Sequence, residues 1–95
     1  MTAYFVAVRN GVKDAEAMQT YGGLAAKSMA GHPVTVLAAY GKTRATDGIE
    51  TDGAVIIAFP TFAEAEAWYD SPAYQEALQY RLKGGEYQTF IVEGV

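Results

Sequence analysis

Apolar and polar positions change period along the chain, and each change marks an element. From Thr2 to Arg9, Tyr4, Val6 and Val8 fall on one face of an extended chain and Ala3, Phe5 and Ala7 on the other, the period of a strand. Asn10-Gly11 is a turn signal, and Asp14 is a good N-cap for a helix running to about Ala30. Met18, Tyr21, Ala25, Ser28 and Met29 lie roughly on one side of that helix. Gly22-Gly23 weakens its middle by about 1 kcal/mol per glycine relative to alanine, which suggests close packing against a strand or a ligand. Gly31 ends the helix, and His32-Pro33 leads into a strand from Val34 to Tyr40. Gly41 to Gly53 is a polar connection holding the turn pairs Asp47-Gly48 and Asp52-Gly53. Ala54 to Phe59 and Tyr87 to Glu93 read as two further strands, each apolar on both faces.

The stretch from Phe59 to Arg81 carries the densest local signals. Pro60 stops a strand. Thr61-Phe62-Ala63-Glu64 has the form of a capping box, in which the threonine hydroxyl and the glutamate carboxylate each accept a backbone N–H of the other. Ser71 and Pro72 restart a helix, serine as N-cap and proline at the first position. The expected product is a helix bent at Ser71 and ended by Gly84-Gly85. Tyr74, Leu78 and Arg81 share one face of it.

The resulting order, β-α-β-β-α-β, predicts the α+β ferredoxin-like fold, a four-stranded antiparallel sheet with helices on one face. A sheet covered on one side should turn polar residues outward. Here Phe5, Ile56, Phe90 and their neighbours would leave several hundred Å² of apolar surface in water, more than a soluble monomer tolerates. A second copy packed sheet to sheet about a two-fold axis is the simplest cover.

Composition narrows the classes. The 95 residues are expected to form one domain over 1–95, with 51% hydrophobic and 19% charged residues, a globular balance. Net charge is −4, and the seven Lys and Arg residues are scattered without a basic stripe, which argues against nucleic acid. No apolar run reaches membrane-spanning length, and the N-terminus lacks the charged region and cleavage site of a secretory signal, so a cytoplasmic protein is expected. There is no cysteine and one histidine, so no metal site and no cofactor are expected.

Each candidate site residue has a functional and a plain reading. Arg81, turned partly inward, is either an anchor for a carboxylate or phosphate or half of a salt bridge to Glu93 or Asp47. Trp68, Tyr69 and Tyr74 either wall an aromatic pocket with polar tips or pack as core. His32, the one histidine, is either a general base or a loop residue beside a helix C-terminus. Tyr21 places a phenol over a cleft or covers the sheet edge. Asp47 is most simply a turn residue, and Ser71 is explained as a cap. A pocket gathering Tyr21, His32, Trp68, Tyr74 and Arg81 between helices and sheet is expected.

Phe59-Pro60, Ala65, Ala67-Trp68-Tyr69, Ser71-Pro72, Tyr74-Gln75, Arg81 and Val92-Glu93-Gly94 resemble the signature of domain-of-unknown-function family thirteen-thirty, in the dimeric α+β-barrel superfamily. The resemblance covers nearly the whole chain; Tyr4, Tyr21 and His32 also sit where the family has such residues. It implies a homodimer whose sheets form a barrel, and no established activity. The chain departs from the pattern at Ala58, Pro33-Val34 and Asp47-Gly48, where the family commonly has Glu, Gly-Gly and Glu-Gly. Two functions stay open. One is a cofactor-independent, isomerase- or oxygenase-like enzyme on a small carboxylated or aromatic metabolite, with His32 or Tyr21 as acid–base and Arg81, Trp68, Tyr69, Tyr74 and Asp47 in binding. The other is a non-catalytic small-molecule-binding or accessory dimer.

Overall fold

The computed structural model describes residues 1–95. Its elements are β1 (Ala3–Val12), α1 (Ala15–Ser28), β2 (Thr35–Ala39), β3 (Gly53–Phe59), α2 (Phe62–Tyr69), α3 (Pro72–Gly84) and β4 (Gly85–Glu93). The strands form one antiparallel sheet in the order β2-β3-β1-β4. This is the ferredoxin-like fold, with its second helix broken in two.

The break lies where Pro72 requires it. Ser71 Oγ accepts from the Tyr74 N–H at 3.2 Å and donates to the Trp68 carbonyl at 2.7 Å, so one side chain closes α2 and opens α3. Thr61 caps α2 by accepting from the Glu64 N–H at 3.1 Å. Only this half of the capping box forms, because the Glu64 carboxylate does not return to Thr61 and its Oε2 is buried without a partner. Asp14 caps α1, accepting from Glu16 and Ala17. At the far end of α3, a Cβ on Gly84 would meet Met18 Cγ and Sδ at 2.7 Å. Glycine there lets α3 close onto the start of α1, and the Gly84 carbonyl accepts from Lys13 and Asp14.

Strand parity decides what is buried. Ala3, Phe5 and Ala7 of β1, with Ile57 and Phe59 of β3, face the helices and are at most 3% exposed. Phe5 therefore leaves the set that needs outside cover; Trp68, Tyr69 and Tyr74 lie over it. Tyr4, Val6 and Val8, with Ala54, Ile56 and Ala58, have the opposite parity and no helix above them. The same bare face carries Phe90 and Val92, 46% and 45% exposed.

The glycine pair of α1 does not serve close packing against a strand. A Cβ at Gly22 or Gly23 would meet nothing within 4 Å, and both residues are exposed. No strand approaches them. Gly23→Ala is accordingly expected to stabilise the protein by about 0.5–1 kcal/mol through helix propensity and a less flexible unfolded chain. Chemical denaturation at fixed protein concentration reads this directly, and a loss of stability would contradict it.

Candidate functional site

The helices do not cover the sheet evenly. The broken helix presses Trp68 and Tyr74 onto β1 and β3, whereas α1 packs chiefly against α3. Beneath α1, above β1, β3 and the edge strand β2, a cavity of about 480 Å³ remains. Its floor is Phe5, Ala7, Val55 and Ile57, and its roof includes Met18, Tyr21, Ala25 and Met29. Twelve of the fifteen lining residues are hydrophobic, so an occupant would be held mainly by apolar contact.

The polar groups of the cavity gather at the Arg9 end of β1. Arg9 Nε donates to Asp52 Oδ1 at 2.9 Å, and the guanidinium lies 4.8 Å from the Tyr40 ring centroid. Tyr40 has φ +57, a left-handed conformation that costs a bulky residue about 1–2 kcal/mol. Its surroundings hold it there: the N–H donates to Ala54 O at 2.8 Å and the hydroxyl meets the Tyr87 hydroxyl at 2.7 Å. Gly53 leaves room for the ring, since a Cβ there would stand 2.7 Å from Tyr40 Cδ1. Deeper in, the Tyr21 and Tyr74 hydroxyls are 2.9 Å apart, and the Arg81 guanidinium sits 5.2 Å from the Tyr87 ring centroid. Burial pushes the Tyr21 and Tyr40 phenols well above the ordinary tyrosine value and raises that of Tyr74. All three are protonated near pH 7 and can donate a hydrogen bond.

The expected five-residue pocket is not assembled. Tyr21, Tyr74 and Arg81 do come together, but of the five only Tyr21 lines the cavity. Trp68 and Tyr74 are 1% and 0% exposed and form core; the Trp68 Nε1–H donates to Ser28 Oγ at 3.1 Å. Tyr69 packs on Phe5 and Tyr74 and borders a separate depression beside Phe62 and Phe90. His32 lies at the other end of the sheet, in a shallow depression with Thr2, Pro33, Phe59 and Pro60. The reason is helix length. Tyr21 to Ser28 is two turns of α1, about 10 Å, and His32 follows beyond. Asp47 is exposed in the β2–β3 connection with no side-chain bond, so the suggested ion pair between Arg81 and Asp47 or Glu93 is absent; the one ion pair is Arg9 to Asp52.

Arg9, Tyr40 and Tyr87 were not singled out from the sequence. Parity could have found two of them: Arg9 follows Phe5 and Ala7 on the helix-facing side, and Tyr87 precedes Thr89 and Ile91. Nothing local announces a tyrosine at positive φ.

With this geometry in view, the family described as Domain of unknown function (DUF1330) matches residues 2–95. The chain belongs to this family. Solved structures place the DUF1330 chain among ferredoxin-like proteins. It is similar to a protein of unknown function from Rhodopseudomonas palustris, at TM-score 0.78 and 15% identity over 99% of this chain and 82% of that one. It is similar to a dimeric protein of unknown function from Bacteroides fragilis, at TM-score 0.67 and 10% identity over 98% and 96%. It is also similar to SnoaB, a cofactor-independent oxygenase from Streptomyces nogalater, at TM-score 0.63 and 14% identity over 99% and 93%. At such identities the likeness is one of fold. No curated protein matches the DUF1330 chain in sequence. No helix in it is long and apolar enough to cross a membrane.

Proposed function

We propose that this DUF1330 protein is a homodimer that binds a small, largely apolar carboxylated or aromatic metabolite between α1 and the sheet. The observation that carries this reading is the cavity of about 480 Å³ with apolar walls and one polar end. That volume lies within the usual range of small-molecule sites, and the arrangement of few polar groups among many apolar ones is typical of them. The dimeric state of ferredoxin-like neighbours supports the assembly.

A thermal-shift panel of aromatic and aliphatic acids with their neutral analogues tests the site. A ligand at a hundredfold excess over its Kd adds about 2.7 kcal/mol to stability. Gly22 borders the cavity, and Gly22→Leu should abolish the ligand shift while leaving the ligand-free protein folded. A panel without any stabiliser, or shifts that survive Gly22→Leu, would count against the cavity.

A second reading, a cofactor-independent isomerase- or oxygenase-like enzyme, draws on the fold shared with SnoaB. In that reading Tyr21 is the acid within the cavity. His32 could act only from its own depression at the other end of the sheet.

A further inference from the structure

The Tyr21 and Tyr74 hydroxyls, 2.9 Å apart, carry two protons and share one hydrogen bond. One proton is left for a third partner, and burial decides which tyrosine holds it. Tyr74 is 0% exposed, and the groups at its hydroxyl are the Tyr21 hydroxyl and the Arg81 guanidinium, of which only Tyr21 can accept a proton. Were Tyr21 the donor, the Tyr74 proton would be stranded in the core as a buried unsatisfied donor. Arg81 points the same way. A guanidinium has only donors, and this one stands close enough to the Tyr74 hydroxyl to act on it by charge, so it favours facing the oxygen's lone pairs. Tyr74 therefore donates to Tyr21, which leaves the hydroxyl proton of Tyr21, a residue of the cavity lining, without a protein acceptor.

Arg81 adds an independent sign. It is 5% exposed, it has no carboxylate within 4.0 Å, and its Nε is buried without a partner. A buried cation lacking an anion is unfavourable, and the two hydroxyls connect this one to the cavity. Arg9, which does line the cavity, is already committed to Asp52.

We propose that the cavity recognises an anionic oxygen, a carboxylate, enolate or phenolate, which accepts the Tyr21 proton, with Tyr74 and Arg81 as positioning residues behind it. This rests on the cavity reading above and names the chemistry of its occupant. Burial keeps both phenols protonated, as a donor role requires.

The test uses two probes of equal apolar shape, naphthoate and methylnaphthalene, titrated by calorimetry or intrinsic fluorescence. Tyr21→Phe removes one oxygen and keeps the ring. It should weaken naphthoate by about tenfold or more, the effect of one hydrogen bond to a charged group, and leave methylnaphthalene unchanged. Tyr74→Phe and Arg81→Met should erode the same preference without touching the cavity wall, and Arg81→Lys should restore part of it, which a purely structural role would not do. If Tyr21→Phe affects both probes equally or neither, or if wild type takes methylnaphthalene and refuses naphthoate, this inference falls and the cavity reading stands. If wild type binds neither probe, both fall. Tyr21→Phe and Arg81→Lys keep the test decisive should Arg81→Met fail to fold.

Discussion

Trp68→Ala is expected to destabilise the protein by about 3–5 kcal/mol, the range for removing a buried aromatic. Trp68 is 1% exposed and stands between the sheet and both halves of the broken helix. Its ring lies 5.1 Å from Phe5, 5.5 Å from Phe59 and 4.4 Å from Tyr74, centroid to centroid. Its indole N–H donates to Ser28 Oγ, which in turn donates to the Ala25 carbonyl at 2.6 Å, so the same residue ties α1 to α2. Truncation leaves a cavity beneath three aromatic rings that cannot collapse together, because Phe5 and Phe59 are fixed by the sheet register. A domain of this size has about 5–15 kcal/mol in total, so much of its stability would go. Trp68→Phe keeps a ring and should cost less, with Ser28 losing its donor. Far-UV circular dichroism during guanidinium unfolding, at one fixed protein concentration, measures both variants. A loss below about 1 kcal/mol for Trp68→Ala would mean that this cluster is not the centre of the core.

Elements with strong local chemistry were legible in the sequence, and those set by distance were not. The caps at Asp14, Thr61 and Ser71 and the restart at Pro72 act over three or four residues, so their geometry follows from local preference. The strands were legible through parity, which assigns Ala3, Phe5 and Ala7 to one face whatever lies above it. Which face the helices take is a tertiary choice, and that is why Phe5 was grouped with Ile56 and Phe90. The site was legible only in part. Tyr74 and Arg81 share a helix face and do lie together, and Tyr21 joins them from α1. His32 was misplaced because chain adjacency to a helix end says nothing of how far that end lies from the helix middle. The cavity depends on α1 standing away from β2 and β3, a packing distance that no residue of α1 encodes alone. Tyr40 depends on Gly53, thirteen positions away, for the room its ring occupies.

Val6→Asp is expected to turn the proposed dimer into a folded monomer. Val6 lies in the middle of the bare sheet face, opposite Ile56 on one side and Phe90 on the other. Ala38 pairs with Ile56 beyond, so an unbroken apolar row runs across all four strands. Parallel rows hold Tyr4 with Ala58 and Val92, and Val8 with Ala54. A stable interface buries about 1,200 Å² or more in total, and this face is the one broad apolar surface the helices leave. Under two-fold symmetry a single substitution enters the interface twice, so two carboxylates would be desolvated near one another, at an effective cost of several kcal/mol each. Within the monomer the same aspartate faces water, and the loss of strand propensity is at most about 1 kcal/mol. Light scattering should give twice the 10.2 kDa protomer mass for wild type and the single mass for Val6→Asp, with far-UV circular dichroism unchanged. Leu82→Asp, on the exposed side of α3, should stay dimeric. A wild-type monomer at micromolar concentration would end the proposal of a dimer. A Val6→Asp dimer would move the interface to another face.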